Sequence, residues 1–415
     1  LLLGGIILLG LLLRVGTARN MHLSPDELVY AVTPINIIST GKISTFHQSP
    51  VYFYLTDIGY QLFGVNAITS RLVGIIFGTL TILIVYLLAK ELWKEERAAL
   101  LAAFFFAISA YAIINNTEMD GITFFFMLAS VLFYIKGLQS NDKYFFLAAV
   151  FLGLAILNKA LALLLVPVYI GYYVAYHRGM PLPWRRIRII GMSIGIMLVM
   201  LLPVFAYNVL LYQEKNTLDI FFSLYIPGSD KSTYANYGID KPWTGQRFIE
   251  VTKKRTHEYL TIDPFLFVLG LGGLGWMIKR KEKLTGFFIA FLLLYTLFMW
   301  GKAGGGGRNH QVLYFPLLAI FAGYAVWKFS NLILQKISTK KIFMGVIGVT
   351  LLFTLGTLTD ELTQKSALVQ LREVVDNTVE DSALVIADTR IYTGNQAWAL
   401  HDTTYFDSAL TAQVA

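Results

Sequence analysis

The chain has 415 residues, of which 56% are hydrophobic, 14% aromatic and 14% charged, whereas an average soluble domain carries roughly 25% charged residues. So little polar surface excludes a soluble protein of this size, and so many aromatics exclude a disordered one. The absence of Cys excludes a disulfide scaffold and any thiolate metal site, and the net charge of +8 points to nucleic acid only if the basic residues gather on a polar face.

What remains is a polytopic, all-α membrane protein. About 20 apolar residues cross the hydrocarbon core as a helix. Such stretches lie at 1–15, 72–89, 98–114, 122–135, 144–157 and 161–175. Further ones lie at 189–207, 265–278, 284–300, 312–327 and 342–358. They predict about eleven transmembrane helices. Barrel strands would alternate apolar and polar residues instead. Residues 1–15 read less well as a signal peptide, because no small-x-small cleavage site follows. Position 1 is Leu and the chain stops at Ala415, so both ends are expected to continue in the natural protein. No internal repeat is visible, which weighs against transporter folds built from two similar halves.

With eleven spans, alternate connections share a side. One set holds Lys90, Lys94, Arg97, Lys136, Lys143, Arg178, Arg185, Arg186 and Arg188. It continues with Lys279, Arg280, Lys281, Lys283, Lys328, Lys336, Lys340 and Lys341, and together these are half of the 34 Lys and Arg. The short loops opposite hold only Lys159, Lys302 and Arg308. The positive-inside rule places the first set in the cytoplasm. The basic balance therefore sets topology and implies no nucleic-acid partner. The opposite, extracytoplasmic side carries three long segments, 19–71, 208–264 and 360–415. The first is too apolar for a free loop. Its 51–64 stretch predicts an interfacial helix with Tyr52, Tyr54 and Tyr60 at headgroup level. The third predicts a helix at 362–375 and a strand at 383–387. The division is thus a transmembrane domain, 1–359, and a small α/β outer segment, 360–415.

Charges near a membrane are costly and usually functional. Asp26 and Glu27 follow the first span in Ser24-Pro25-Asp26-Glu27, with Pro25 where a helix would start and Ser24 as its cap. They either favour a helix N-terminus or carry chemistry. Glu118 and Asp120 occupy the next outer connection, as a solvated loop or as a second carboxylate pair meeting the first. Lys159 lies in a tight outer turn. Arg308 follows Gly304 to Gly307 and leads into a span through Asn309 and His310, and Arg71 opens the second span from outside. Each alone could snorkel to headgroups. Together, at one depth, they fit a polyanion held at the outer interface, to which the glycine run adds backbone donors if it is not simply a hinge. His47, with Asp26 or Glu118, offers a donor set for a divalent metal ion, or is structural.

These residues, in this order and on this side, resemble the lipid-phosphosugar-dependent membrane glycosyltransferases of the GT-C fold. The resemblance is to the protein O-mannosyltransferases of glycosyltransferase family 39 and to the aminoarabinose transferases that modify lipid A. It covers roughly residues 1–326. It rests on Asp26-Glu27, His47-Gln48-Ser49-Pro50-Val51-Tyr52, Phe63-Gly64, Arg71-Leu72, Gly78, Asp120, Gly153-Leu154-Ala155 with Asn158-Lys159, and the stretch from Arg308 to Tyr314 and Pro316. Departures are Ser49 for the first Pro of a Pro-Pro pair, Gln48 where the aminoarabinose transferases carry Lys, Ala160 for Gly and Asn309 for Tyr. They bear on the sugar and the acceptor more than on the reaction class.

The resemblance implies an inverting transfer of one sugar from a polyprenyl phosphate to an acceptor hydroxyl on a protein, lipid or glycan. It makes Asp26 the general base, has Glu27 and Asp120 hold hydroxyls, and sets Lys159, Arg308 and Arg71 against the leaving phosphate. His47, Gln48, Tyr52 and Glu118 would position the substrates. The competing reading is a transporter or flippase for a lipid-linked or anionic solute, which should carry charged or helix-breaking residues near mid-bilayer. Here charge gathers at one face.

Overall fold

The structure, a computed structural model, describes residues 1–21, 51–115, 119–178, 184–216, 244–302, 307–333 and 339–378. It also describes Leu23, Ser24, Glu27, Tyr30, Ala31, Pro34, Leu218, Asp219 and Phe222. Every predicted apolar stretch is helical, and no strand occurs among the described residues. The helices are α1 (Leu2–Asn20), α2 (Val51–Phe63), α3 (Ala67–Trp93), α4 (Glu96–Ala107), α5 (Ala110–Asn115) and α6 (Met119–Gln139). There follow α7 (Tyr144–Asn158), α8 (Leu165–Tyr176), α9 (Trp184–Met200), α10 (Leu202–Lys215), α11 (Gly245–Ile262) and α12 (Pro264–Arg280). The remainder are α13 (Thr285–Thr296), α14 (Tyr314–Ile333), α15 (Thr339–Thr357), α16 (Thr359–Thr363) and α17 (Ala367–Thr378). Among the described residues, five segments are long and apolar enough alone to cross a membrane: Leu2–Asn20, Ala67–Trp93, Met119–Gln139, Trp184–Gln213 and Asn309–Ser330. The other predicted spans are shorter or interrupted. The predicted strand at 383–387 lies outside the described residues.

α3 is the central post. Asn66 caps it, its side chain accepting from the Ile68 and Thr69 amides at 3.0 and 2.9 Å, and α1, α2, α4 and α6 pack around it. α4 passes against α14, which packs on α12, while α6, α7 and α9 form the opposite flank. Lipid tails are as apolar as these side chains, so close contact rather than water exclusion must hold the helices together. α12 supplies it at Gly273, where an added Cβ would lie 2.0 Å from the Phe321 carbonyl oxygen. α14 supplies it at Gly323, 2.6 Å from the Ala98 carbonyl oxygen.

Two predicted features differ in detail. The 98–114 stretch is two helices, because Ile108 and Ser109 break it between α4 and α5. Arg14 of α1 meets the first half, its Nη1 donating to the carbonyl of Ala107 at 3.4 Å. The interfacial helix α2 turns Tyr52 and Tyr60 inward, where they are 2% and 3% exposed, and leaves only Tyr54 of the three outside. Ring packing and hydroxyl bonds to the Ser70 and Ala31 carbonyls, at 3.3 and 2.8 Å, hold them there.

The Lys/Arg-rich turns meet at one end. The Tyr172 hydroxyl donates to the Lys283 carbonyl at 2.5 Å, the Tyr324 hydroxyl donates to Glu282 at 2.8 Å, and Arg186 lies 3.7 Å from Asp142. α3 and α12 end there on Lys94 and Lys281, both with left-handed backbone (φ 54° and 51°).

At the other end the final carbonyls of α1 need partners, as at any helix terminus. Arg71, 1% exposed, supplies them from α3: its Nη1 donates to Ala18 O at 2.6 Å and to Met21 O at 2.9 Å. Its Nε and Nη2 grip Glu27 at 2.7 and 2.9 Å. Glu27 also closes a capping box with Ser24, its Oε2 accepting from the Ser24 amide at 2.7 Å while the Ser24 hydroxyl accepts from the Glu27 amide at 3.1 Å. Ser24 is thus the predicted cap.

Gly273→Ala is expected to cost about 1–3 kcal/mol by overpacking. Gly272→Ala, where nothing lies within 4 Å of the added carbon, should be neutral or gain up to about 1 kcal/mol of helix propensity. Thermal unfolding midpoints in detergent compare the two. In the same assay Arg71→Ala should cost about 3–5 kcal/mol, because it strands a buried carboxylate. Lys365→Ala, which breaks an exposed pair with Glu373, should cost under about 1 kcal/mol.

Candidate active site

α6 and α7 are antiparallel neighbours joined by a short turn, so the start of one and the end of the other lie level. Asp120 sits in the first turn of α6, where a helix N-terminus favours a carboxylate, and is fully buried. Asn158, the last residue of α7, donates to the Met119 carbonyl at 3.0 Å and to the Thr123 hydroxyl at 2.5 Å. Lys159 follows in extended backbone (φ −154°). Its Nζ reaches both oxygens of Asp120, at 2.8 and 2.9 Å.

A third element closes this knot. The short 3₁₀ turn Asn309–Gln311, just before α14, brings Asn309 Nδ2 to 3.1 Å from Asp120. His310 Nδ1 lies 3.1 Å from both carboxylate oxygens and from Lys159 Nζ. The turn is itself fixed: Gln311 Oε1 accepts from Tyr259 and Trp300 at 3.0 and 2.9 Å, and the Tyr295 hydroxyl donates to the His310 carbonyl at 2.6 Å. The Lys159 and His310 side chains keep 12% and 23% exposure against 1% for Asp120, so the knot turns its nitrogen donors outward and its carboxylate inward.

Arg308 is one residue away and open, with its side chain 55% exposed and Nε 3.7 Å from Glu258. Glu258 also accepts from Arg255 at 2.6 Å. Tyr111, stacked on Phe315 at 4.4 Å, donates its hydroxyl to the Arg308 carbonyl at 3.3 Å. Asp263, at the 115° bend between the polar surface helix α11 and the apolar α12, accepts from the Ser109 hydroxyl at 2.7 Å and from the Tyr111 amide at 2.9 Å. Burial raises the Asp263 carboxyl above the ordinary carboxylate range, and these bonds oppose the rise. Lys159, Arg255 and Arg308 stand against the carboxylates of Asp120, Glu258 and Asp263, and of the three cations Arg308 is by far the most exposed, which leaves its guanidinium open to a bound anion.

Among the predicted site residues, Asp120, Lys159 and Arg308 are brought together. Glu27 and Arg71 are brought to each other, buried, and hold the chain after α1. Tyr52 is in the core, in an apolar cluster with Tyr30, Phe53, Val73, Met119 and Ile122, which joins the Glu27 segment to the start of α6. Asp26, His47, Gln48, Glu118 and most of the glycine run lie outside the described residues. No three His, Asp or Glu among the described residues converge to hold a metal ion, and the residues predicted as its donors are among those not described. The sequence assigned no role to Tyr111, Glu258, Asp263, Asn309 or His310. The signal for the last two was four consecutive polar residues, Arg308 to Gln311, leading straight into an apolar span.

Comparison with known proteins bears on the fold and on the kind of protein this chain resembles. The sequence profile of a family described as dolichyl-phosphate-mannose-protein mannosyltransferase matches residues 47–207. An uncharacterized protein of Aquifex aeolicus is 26% identical over 225 residues, 51% of this chain and 43% of that protein. The undecaprenyl phosphate-alpha-4-amino-4-deoxy-L-arabinose arabinosyl transferase of Erwinia tasmaniensis is 25% identical over 159 residues, 35% of this chain and 29% of that protein. The matches thus span less than half the length of these curated relatives. Among solved structures, ArnT from Cupriavidus metallidurans bound to undecaprenyl phosphate superposes with a TM-score of 0.66 at 16% identity, covering 100% of this chain and 87% of that one. The apo oligosaccharyltransferase of Archaeoglobus fulgidus gives 0.62 at 14% identity, covering 91% and 58%. The chain is a membrane protein of the GT-C fold, resembling the glycosyltransferase family 39 mannosyltransferases and the lipid A aminoarabinose transferases.

Proposed function

We propose that the protein is a glycosyltransferase that moves one sugar, with inversion, from a polyprenyl phosphate to an acceptor hydroxyl at the extracytoplasmic membrane surface. The observation that carries this reading is the pairing of Lys159 with buried Asp120, beside the turn that Asp120 also holds through Asn309 and His310 and that carries the exposed Arg308. It lies at the helix ends remote from the Lys/Arg-rich turns. A lipid phosphate reaching the surface through the bilayer would meet it without crossing a polar barrier. The relatives support the donor class: one is named for an undecaprenyl phosphate sugar, and an archaeal neighbour, AglB, was solved with a dolichol-phosphate.

In this reading Asp26 accepts the proton of the attacking hydroxyl. A single in-line displacement then inverts the anomeric carbon, and the polyprenyl phosphate leaves with the bonding pair. Lys159 and Arg308 stabilise the charge it gains, in a partly dehydrated site where such help is strongest. Asp120 fixes the Lys159 ammonium and, with Asn309, the turn that carries His310 and Arg308. Arg71 and Glu27 are engaged with each other, so they act by holding the chain next to Asp26. Tyr52 acts by seating α2, while His47, Gln48 and Glu118 remain for the sugar and the acceptor.

Proteoliposomes supplied with polyprenyl phosphate sugars and acceptor should release free polyprenyl phosphate, read by mass spectrometry. Asp26→Asn should lower kcat by roughly 10²–10⁴, the worth of a positioned base; full turnover would remove Asp26 from the chemistry. Arg308→Ala should raise the donor KM roughly tenfold to a hundredfold, the worth of a hydrogen bond to a charged group. The exposed side chain makes unfolding a poor explanation of that loss. An unchanged donor KM would sink its phosphate role.

A further inference from the structure

The outer end of α1 holds a second attachment besides Arg71, and it comes from the far end of the chain. The Asn20 side-chain amide donates to the carbonyls of Glu361 and Leu362, at 3.0 and 2.9 Å. The Asn20 carbonyl accepts in turn from the Ser366 amide at 2.9 Å. The two strands of chain are 341 residues apart in sequence, yet they exchange three hydrogen bonds through one side chain and its own backbone. Apolar packing surrounds the exchange. Leu362 lies over Gly16, where an added Cβ would be 2.9 Å from its Cδ2. Leu358 is fully buried among Leu13, Ile108, Ala110 and Ile113.

The same helix turn is the one that Arg71 grips. Within four residues, the Ala18 and Met21 carbonyls go to Arg71 and the Asn20 carbonyl goes to Ser366. Arg71 then carries the constraint to Glu27, and Glu27 to Ser24 through the capping box. The route from the extracytoplasmic segment to the residues on either side of Asp26 is therefore continuous: Ser366, Asn20, the last turn of α1, Arg71, Glu27, Ser24. Every joint is a hydrogen bond or an ion pair: the Asn20 and Ser24 joints are part-buried, and the Arg71–Glu27 pair at the centre is buried, where a lost partner is expensive.

We infer that Asn20 is a positioning residue, which clamps the extracytoplasmic C-terminal segment to the exit turn of α1 and so makes that segment part of the catalytic assembly. The catalytic half of this inference rests on the function proposed above. Asn20 touches neither donor nor acceptor; it sets where the chain carrying the base leaves the membrane.

Asn20→Ala in the full chain tests it, read first by hydrogen exchange of the detergent-purified protein without substrate. Faster exchange is expected in peptides covering Ser366 to Gln370 and, at the same time, in those covering Ser24 and Glu27. Ser366→Pro, which removes the amide that Asn20 accepts from and lies outside the helical bundle, should produce the same paired change. In the transfer assay both variants should lower kcat roughly tenfold to a hundredfold, the scale of a small misplacement of a reacting group, with the donor KM unchanged. If the C-terminal peptides loosen while Ser24 and Glu27 stay as protected as in the wild type, the coupling is wrong. If the donor KM rises and kcat holds, the positioning role is wrong. Exchange is read without turnover, so a wild-type protein that transfers no sugar would overturn the enzymatic reading while the exchange result still decided the coupling.

Discussion

A buried guanidinium draws in whatever acceptors lie within reach, and Arg71 shows how much structure that demand can organise. It stands on the central helix α3, takes two carbonyls from the end of α1 and holds a carboxylate from the chain beyond. Replacing any one partner would strand a charge in a poorly hydrated place. The exit of the first helix, the start of the next segment and the wall of α3 are therefore fixed as one object. The residues flanking Asp26 inherit their position from it.

Asp120 plays a similar part on the other side of the site, with one difference. Its three partners come from two separate elements, the α6–α7 hairpin and the turn before α14. The carboxylate is a junction rather than an endpoint. It aims Lys159 and draws in the turn on which Arg308 stands, so cations distant in sequence share one edge. Tyr111 and Asp263 repeat the device one layer out, where the interrupted helix between α4 and α5 turns its second half toward the Arg308 backbone. Buried polar networks gain most from members that are well satisfied, as Asp120 is by Lys159, Asn309 and His310.

The helices were legible because the bilayer imposes one length and one polarity on each of them, and each predicted apolar stretch falls on a helix. The break at Ile108 and Ser109 was not, since no Pro or Gly marks it and the cap that stabilises it, Asp263, lies far along the chain. Within the site, Asp120 and Lys159 were readable as neighbours because both border the ends of one hairpin. The inward turn of Arg71 was not, because an arginine at a span's end reads equally as a headgroup anchor until its carbonyl partners are seen. Tyr52 misled for a related reason: an aromatic next to a membrane surface can face lipid or protein, and only packing chooses. His310 and Asn309 needed the tertiary fold, since their partner is a carboxylate nearly two hundred residues earlier.

The lysines that end α3 and α12 carry a different kind of information. Lys94 and Lys281 occupy left-handed backbone, a conformation that costs an L-residue about 1 kcal/mol or more and that glycine adopts freely. Glycine would relieve that strain at both turns, but it would remove a cation that the carbonyl end of a helix favours and, at Lys94, an ion pair with Glu91. At these two turns a small backbone strain is thus held against an electrostatic gain at the helix end, and the same charges are of the kind that keeps a loop from crossing during membrane insertion.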